Sequence, residues 1–306
     1  MTFSQGSRSV LDYVAQTDFD TIPATPTLKR IPVKTHSLTL NRERLQGQDI
    51  VGDRQPTVDR LNVRSATGTI EVDLRKGDYD EFLESAFFGS FTSDVLKVGT
   101  AEKYLLVEDG ATDIGQFRRF TSLAVSTATF RIAPQQMVEV TFDCLARDMV
   151  QDNSTISAAA ATAPTGNEPF DTLSGELFVG GTSPGDKLAI VTSLEFSVQN
   201  SLAPTYVIGE DSAPAFEYGM AMVEGTMSVY YKDAALIDKF LNETETSLQV
   251  AVDDPTGTNA YTFNFPRIKF NGANVPLANP QSRVIELPFV ALKNNTEGTN
   301  LILTRS

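Results

Sequence analysis

The sequence predicts a mainly β protein: two tandem β-sandwich or barrel-like modules, each with two hairpins and one short packed α-helix. Three observations carry this expectation. Short segments recur in the same order in the two halves of the 306 residues, apolar residues alternate at period two through most of them, and each half holds one stretch of helical period.

The recurrence is the most informative of the three. Phe19-Asp20-Thr21-Ile22 returns as Phe170-Asp171-Thr172-Leu173, and Ser37-Leu38-Thr39-Leu40 as Ser193-Leu194-Glu195-Phe196, at spacings of 151 and 156. Val51-Gly52-Asp53 then aligns with Ile208-Gly209-Glu210, and Gly68-Thr69-Ile70-Glu71-Val72 with Gly225-Thr226-Met227-Ser228-Val229. Asp80-Glu81-Phe82-Leu83 falls over Asp238-Lys239-Phe240-Leu241, Pro134-Gln135 over Pro280-Gln281, and Val138-Glu139-Val140-Thr141-Phe142 over Ile285-Glu286-Leu287-Pro288-Phe289. Chance pairs do not keep one order with slowly drifting spacing. The Ser/Thr/Ala-rich stretch Asn153 to Asn167 reads as a linker. The expected organisation is an N-terminal arm at 1–18, copy one at 19–150, a linker at 151–168, copy two at 169–294 and a C-terminal tail at 295–306. The arm and linker, polar or small, are expected to be mobile alone and, in an assembly, to order across a neighbouring ring. Residues 88–118 exceed their counterparts at 246–262 and are expected to form an extra loop.

Alternation in Leu61-Asn62-Val63-Arg64 and in Phe216-Glu217-Tyr218-Gly219-Met220-Ala221-Met222 marks strands with two unlike faces. The apolar phase changes at Gly68 and Gly225, which predicts a β-bulge or bend at each. Asp78 is placed to cap a helix carrying Phe82, Leu83, Ala86 and Phe87, and Asp233 one carrying Leu236, Ile237, Phe240 and Leu241. A hairpin follows each helix: Phe120 to Ile132 with Met137 to Arg147, and Tyr261 to Phe270 with Val284 to Leu292. The turn residues Asn271-Gly272, Pro134 and Asn279-Pro280 lie between those strands.

Composition excludes several classes. Hydrophobic residues at 41% and charged residues at 21% suit a folded chain, and no apolar run reaches the ~18 residues that span a bilayer. The start MTFSQGSRSV lacks the basic and apolar regions of a signal peptide, so no membrane partner is expected and synthesis in a reducing cytosol fits. A net charge of −14, split as −4 over residues 1–150 and −10 over 151–306, opposes tight binding of nucleic acid phosphates.

Catalytic groups do not assemble in the sequence. The sole histidine, His36, opens a strand and has no second imidazole for a triad or a histidine metal site. Cys144 alternates with apolar neighbours and reads as a buried small hydrophobe. Asp253-Asp254-Pro255-Thr256-Gly257 reads as a hairpin turn and lacks the alternating ligands of a calcium loop. No cofactor, metal site or enzymatic activity is expected.

The segment Gly225 to Asp233, the helix through Phe240-Leu241-Asn242 and the hairpin Ile268 to Leu292 resemble the core of bacteriophage tail tube proteins. The resemblance covers roughly 36–148 and 193–294 and rests on pattern and order. It implies a structural virion tail protein, assembled in the host cytoplasm, whose modules join β-hairpins into an inner barrel with the helix outside. Six modules close a ring and rings stack into a tube, so two modules per chain imply a homotrimer of pseudo-sixfold symmetry. The implied partners are the tape measure protein, the tail terminator and the distal tail protein, with viral DNA passing through transiently during ejection. Two other readings stand beside it. One is a repeated β-domain decoration or host-recognition protein of the tail, and the other a polysaccharide-acting tail enzyme. Within the tube reading, Glu139 and Glu286 match between copies and point away from their apolar neighbours. With Asp143 they are candidates for an acidic channel wall, the alternative being an outer solvent face.

Overall fold

In the computed structural model, residues 3–306 are described except for 51, 53, 56, 183–185, 189 and 277–281. The first half runs β1 (Ser9–Ala15), β2 (Lys29–Ile31), β3 (Thr35–His36), β4 (Thr39–Asn41), β5 (Arg44–Gln46), β6 (Asp59–Leu61), β7 (Ser65–Asp73) and α1 (Asp80–Phe87). It continues through β8 (Val95–Lys97), β9 (Leu105–Ala111), β10 (Gln116–Ile132), β11 (Glu139–Ala146) and β12 (Asp148–Asp152). The second half runs β13 (Asp171–Val179), β14 (Val191–Gln199), β15 (Ala203–Pro204), β16 (Phe216–Glu217), β17 (Met222–Tyr230) and α2 (Ala235–Leu241). It ends with β18 (Thr246–Asp253), β19 (Ala260–Phe270), β20 (Val284–Ala291) and β21 (Ile302–Arg305).

Antiparallel pairing arranges these strands in two layers. The front layer is the continuous order β7–β11–β10–β14–β17–β20, with β3 and β4 along the outer side of β7. The back layer is β12–β10–β9–β1–β2 behind the first half and β13–β18–β19–β21–β8 behind the second. β10 serves both layers: its register shifts between Phe120 and Leu123, where Ser122 takes a positive φ of 51°, and the strand turns from back to front. Such a bulge bends a strand without ending it.

Alternation decides what lies between the layers. Ile70, Phe142, Ala128, Val198 and Val223 stand directly opposite one another across five strands, and all are buried. The next row holds Val72, Val140, Phe130, Phe196, Gly225 and Phe289, with Phe130 stacked on Phe196 at 4.7 Å between ring centroids. Leu11, Tyr13, Val107 and Phe120 close the core from behind in the first half, and Val250, Tyr261, Phe263 and Phe265 in the second. One hydrophobic cluster therefore spans both halves.

Several expectations change. Neither Gly68 nor Gly225 lies at a register shift; instead, both remove a side chain at a close strand contact. A Cβ on Gly68 would come within 2.6 Å of the Leu38 backbone, and one on Gly225 within 2.6 Å of the Glu195 carbonyl. The expected arm contains β1, which pairs residue for residue with β9 and buries Leu11 and Tyr13. Its apolar run was too short to read as core, and it lies on β9 as β13 lies on β18. The expected loop at 88–118 carries β8 and β9, and the expected tail carries β21, wedged between β19 and β8 with Leu301 and Leu303 buried. Because β21 takes the N-terminal part of β19, the β19–β20 hairpin pairs only Ile268 to Phe270 with Phe289 to Ala291. Asp78 accepts the Thr165 N–H and does not cap α1, whereas Asp233 accepts the Ala235 N–H at the start of α2. Leu241 is exposed. Val51, Asp53, the Asn279-Pro280 turn and the Pro280-Gln281 match lie outside the described residues.

Replacing Phe196 by Ala removes the ring that stacks on Phe130 and touches Phe263 and Phe265. The expected cost is about 3–5 kcal/mol in denaturant unfolding, and a loss under about 1 kcal/mol would contradict this packing.

Candidate functional site

The front layer has a second face. Every residue between the buried ones points away from the core, and the register lines these residues up across both halves. One row reads Thr69, Asp143, Thr127 and Gln199, and the next Glu71, Thr141, Thr129, Ser197 and Glu224. The third reads Asp73, Glu139, Arg131, Glu195, Thr226 and Pro288, and below it come Ser193 from the β14 bulge, Ser228 and Glu286. Across the β10–β14 junction these rows continue unbroken.

The charges differ between the halves. Glu139 is clasped by two cations, Lys34 Nζ at 2.6 Å and Arg131 Nη1 at 3.5 Å, while Lys34 also reaches Asp73 at 3.3 Å. The Lys34 hydrogen bond, aided by Arg131, holds the Glu139 carboxyl below the usual range, and Glu139 in turn raises the Lys34 ammonium. Arg131 spans the junction to Glu195 at 3.1 Å. Asp143 is half-buried, and that burial pushes its carboxyl upward. Glu286 is exposed and, among the described residues, receives only a long contact from the Asn274 amide at 3.4 Å. Glu195, Glu224 and Glu286 border a shallow groove of about 610 Å³ floored by Ser, Thr and Pro side chains.

Of the three candidates, Glu139 and Asp143 share one strand face four residues apart, whereas Glu286 lies four strands away, on the order of 19 Å across the sheet. The two glutamates that align in sequence do not occupy the same row. Glu139 opposes Asp73, five residues beyond Gly68, and Glu286 opposes Ser228, three beyond Gly225, an offset of about 7 Å along the strand. The halves thus differ in register around the two glycines, which a residue-to-residue alignment hides. Sequence reasoning also missed Glu71, Asp73, Glu195 and Glu224. Their signal was present, since each alternates with a buried neighbour such as Ile70, Val72, Leu194 or Val223. Lys34 gave no such signal, because Glu139 lies 105 residues away, and neither did the contact of Arg131 with Glu195, 64 residues away.

His36 and Cys144 take no part in this face. His36 stands opposite Ile70 with Nε2 3.7 Å from Asp109, and Cys144 is buried, which pushes its thiol far upward. The arrangement suits a polar, net-acidic wall more than a reacting centre.

A family model described as phage tail tube protein matches residues 6–291. No curated protein sequence matches the chain.

A folded carboxyl held below its unfolded value of about 4.3 adds stability above that pH and loses it as pH falls through the lowered folded value. Glu139→Gln is expected to cost at most about 1 kcal/mol at pH 7, because the pair is partly solvated, and to flatten the stability loss below about pH 4.3. Identical acid-unfolding slopes for variant and native protein would show that the Lys34 and Arg131 contacts carry no linkage.

Proposed function

The chain belongs to the phage tail tube protein family, and we propose that it is the tail tube subunit itself, three copies closing a ring of pseudo-sixfold symmetry that stacks into a hollow tube for DNA. The observation that carries this reading is the wet front face, continuous through both halves and open at both ends.

The internal junction explains how such a ring closes. In the first half, Thr127 to Ile132 has β11 on one side and β14 on the other. In the second half, the segment Asn271 to Asn274 bonds β20 on one side, and its other side has no strand partner among the described residues. β14 is held by β17 and β10, while β3 and β4 are held, among the described residues, by β7 alone. The two free edges are thus counterparts of the two strands that meet inside the chain. Repeating the internal junction between chains removes the open edges. The order strand, hairpin, strand, helix recurs from β4 to α1 and from β14 to α2, which supports reading the chain as an internal duplication of one tube module. Six modules then come from three chains.

The front face supplies the channel wall. Its paired rows carry seven carboxylates, Glu71, Asp73, Glu139, Asp143, Glu195, Glu224 and Glu286, against Lys34 and Arg131. A wall of net negative charge keeps DNA from adhering within a Debye length of ~8–10 Å. The role is structural and without catalysis, exercised in the virion tail after assembly in the host cytoplasm. The tape measure protein fills the channel before ejection, and the terminator and distal tail proteins bound its two ends.

Images of assembled tubes are expected to resolve three chains per ring; density that refines as six identical chains would overturn the duplication. In phage carrying Glu195→Lys with Glu224→Lys, tubes are expected to assemble while DNA release slows severalfold, more so at low salt. Release at the native rate would remove these residues from the channel wall.

A further inference from the structure

The two halves treat one element differently. Between β14 and β17 the chain leaves the front layer as the β15–β16 hairpin and lies over the first half. Phe216 and Ala213 bury themselves there beside Ala124, Leu145, Phe19 and Tyr104, with the Phe19 and Phe216 rings edge to face at 5.0 Å. The Arg64 N–H donates to the Asp211 carbonyl at 2.7 Å, and Arg147 Nε to Ser212 Oγ at 3.3 Å. This hairpin is a clasp across the β10–β14 junction.

The β5–β6 hairpin occupies the same place in the first half, between β4 and β7, and among the described residues its strands join no hydrophobic cluster. All six of its strand residues are exposed, with Leu45 and Leu61 each more than half open to solvent and Ile50 98% exposed. A lone two-stranded ribbon is marginally stable in water, and an apolar one is a liability without a partner. It springs from the free edge at β4.

We infer that the β5–β6 hairpin docks on the second half of a neighbouring copy of this chain, an inference that rests on the ring reading above. The register identifies the landing place. Under the internal clasp lies the cross-strand pair Ala124 and Leu145, the latter one residue beyond Cys144, which opposes Gly68. The corresponding pair in the second half is Lys269 and Val290, the latter one residue beyond Phe289, which opposes Gly225. Ala124 and Leu145 are covered, while Lys269 and Val290 are partly open. The β5–β6 hairpin therefore covers the Lys269–Val290 pair of the next chain in the same ring, as the β15–β16 hairpin covers Ala124 and Leu145 within the chain.

A disulfide between chains tests this. In Leu61→Cys with Lys269→Cys, the native Cys144 is 4% exposed and stays out of the reaction. Oxidising the assembled protein is expected to give a covalent ladder that ends at three chains, the closed ring. A ladder that ends at six supports the docking and overturns the three-chain count, which separates the two ideas. Bands that continue past the ring number place the hairpin between stacked rings and overturn the docking, as does the absence of cross-linking in well-formed tubes. A native chain that forms no rings overturns both. Leu45→Ser with Leu61→Ser alters only exposed side chains and is expected to keep the native melting temperature. Its self-association should weaken by about tenfold or more; association equal to the native protein overturns the inference.

Discussion

The contact on which the rest depends is the pairing of β10 with β14. It joins the C-terminal end of the first half's longest strand to an early strand of the second half, in register from Thr127–Gln199 to Ile132–Leu194. Phe130 stacks on Phe196 beneath it, and Phe263 closes the ring cluster from the back layer. Main-chain bonds fix the register, and burial of the large rings makes slippage costly, since a one-residue slip would turn every aromatic into solvent. Two halves that could each have been separate sandwiches become one sheet with one core.

From this junction the polar face inherits its continuity. Rows of Thr, Ser and carboxylate side chains cross from one half to the other only because β10 and β14 are neighbours in register. Arg131 marks the seam, with Glu139 of its own half on one side and Glu195 of the other half on the opposite side. Partly solvated pairs of this kind add little to stability. They shape the local potential instead, leaving the carboxylates around Glu286 and Glu224 less compensated than Glu139.

Edges obey the same logic. A strand edge left unpaired is a template for another chain, and here both free edges resemble strands that the chain already pairs internally. Membership of the phage tail tube protein family implies self-assembly into a tube. The exposed β5–β6 hairpin beside one such edge extends the pattern from main-chain bonds to side-chain burial.

Much of this was legible in the sequence, because alternation and helical period are local properties. The mainly β class, the strands at Gly68–Val72 and Val138–Phe142, the single helix in each half and the wet orientation of Glu139, Asp143 and Glu286 follow from residues a few positions apart. Pairing is not local. Only the tertiary structure decided that Ser9–Ala15 belongs to the core, that Ile302–Arg305 joins a strand from the other half, and that Lys34 and Arg131 clasp Glu139. It also offset Glu139 from Glu286 by two residues, because each strand's register answers to the partners packed on both its sides. Side-chain alternation tells a residue which face it takes; the row it occupies on that face is set by cross-strand bonds between segments far apart in the chain.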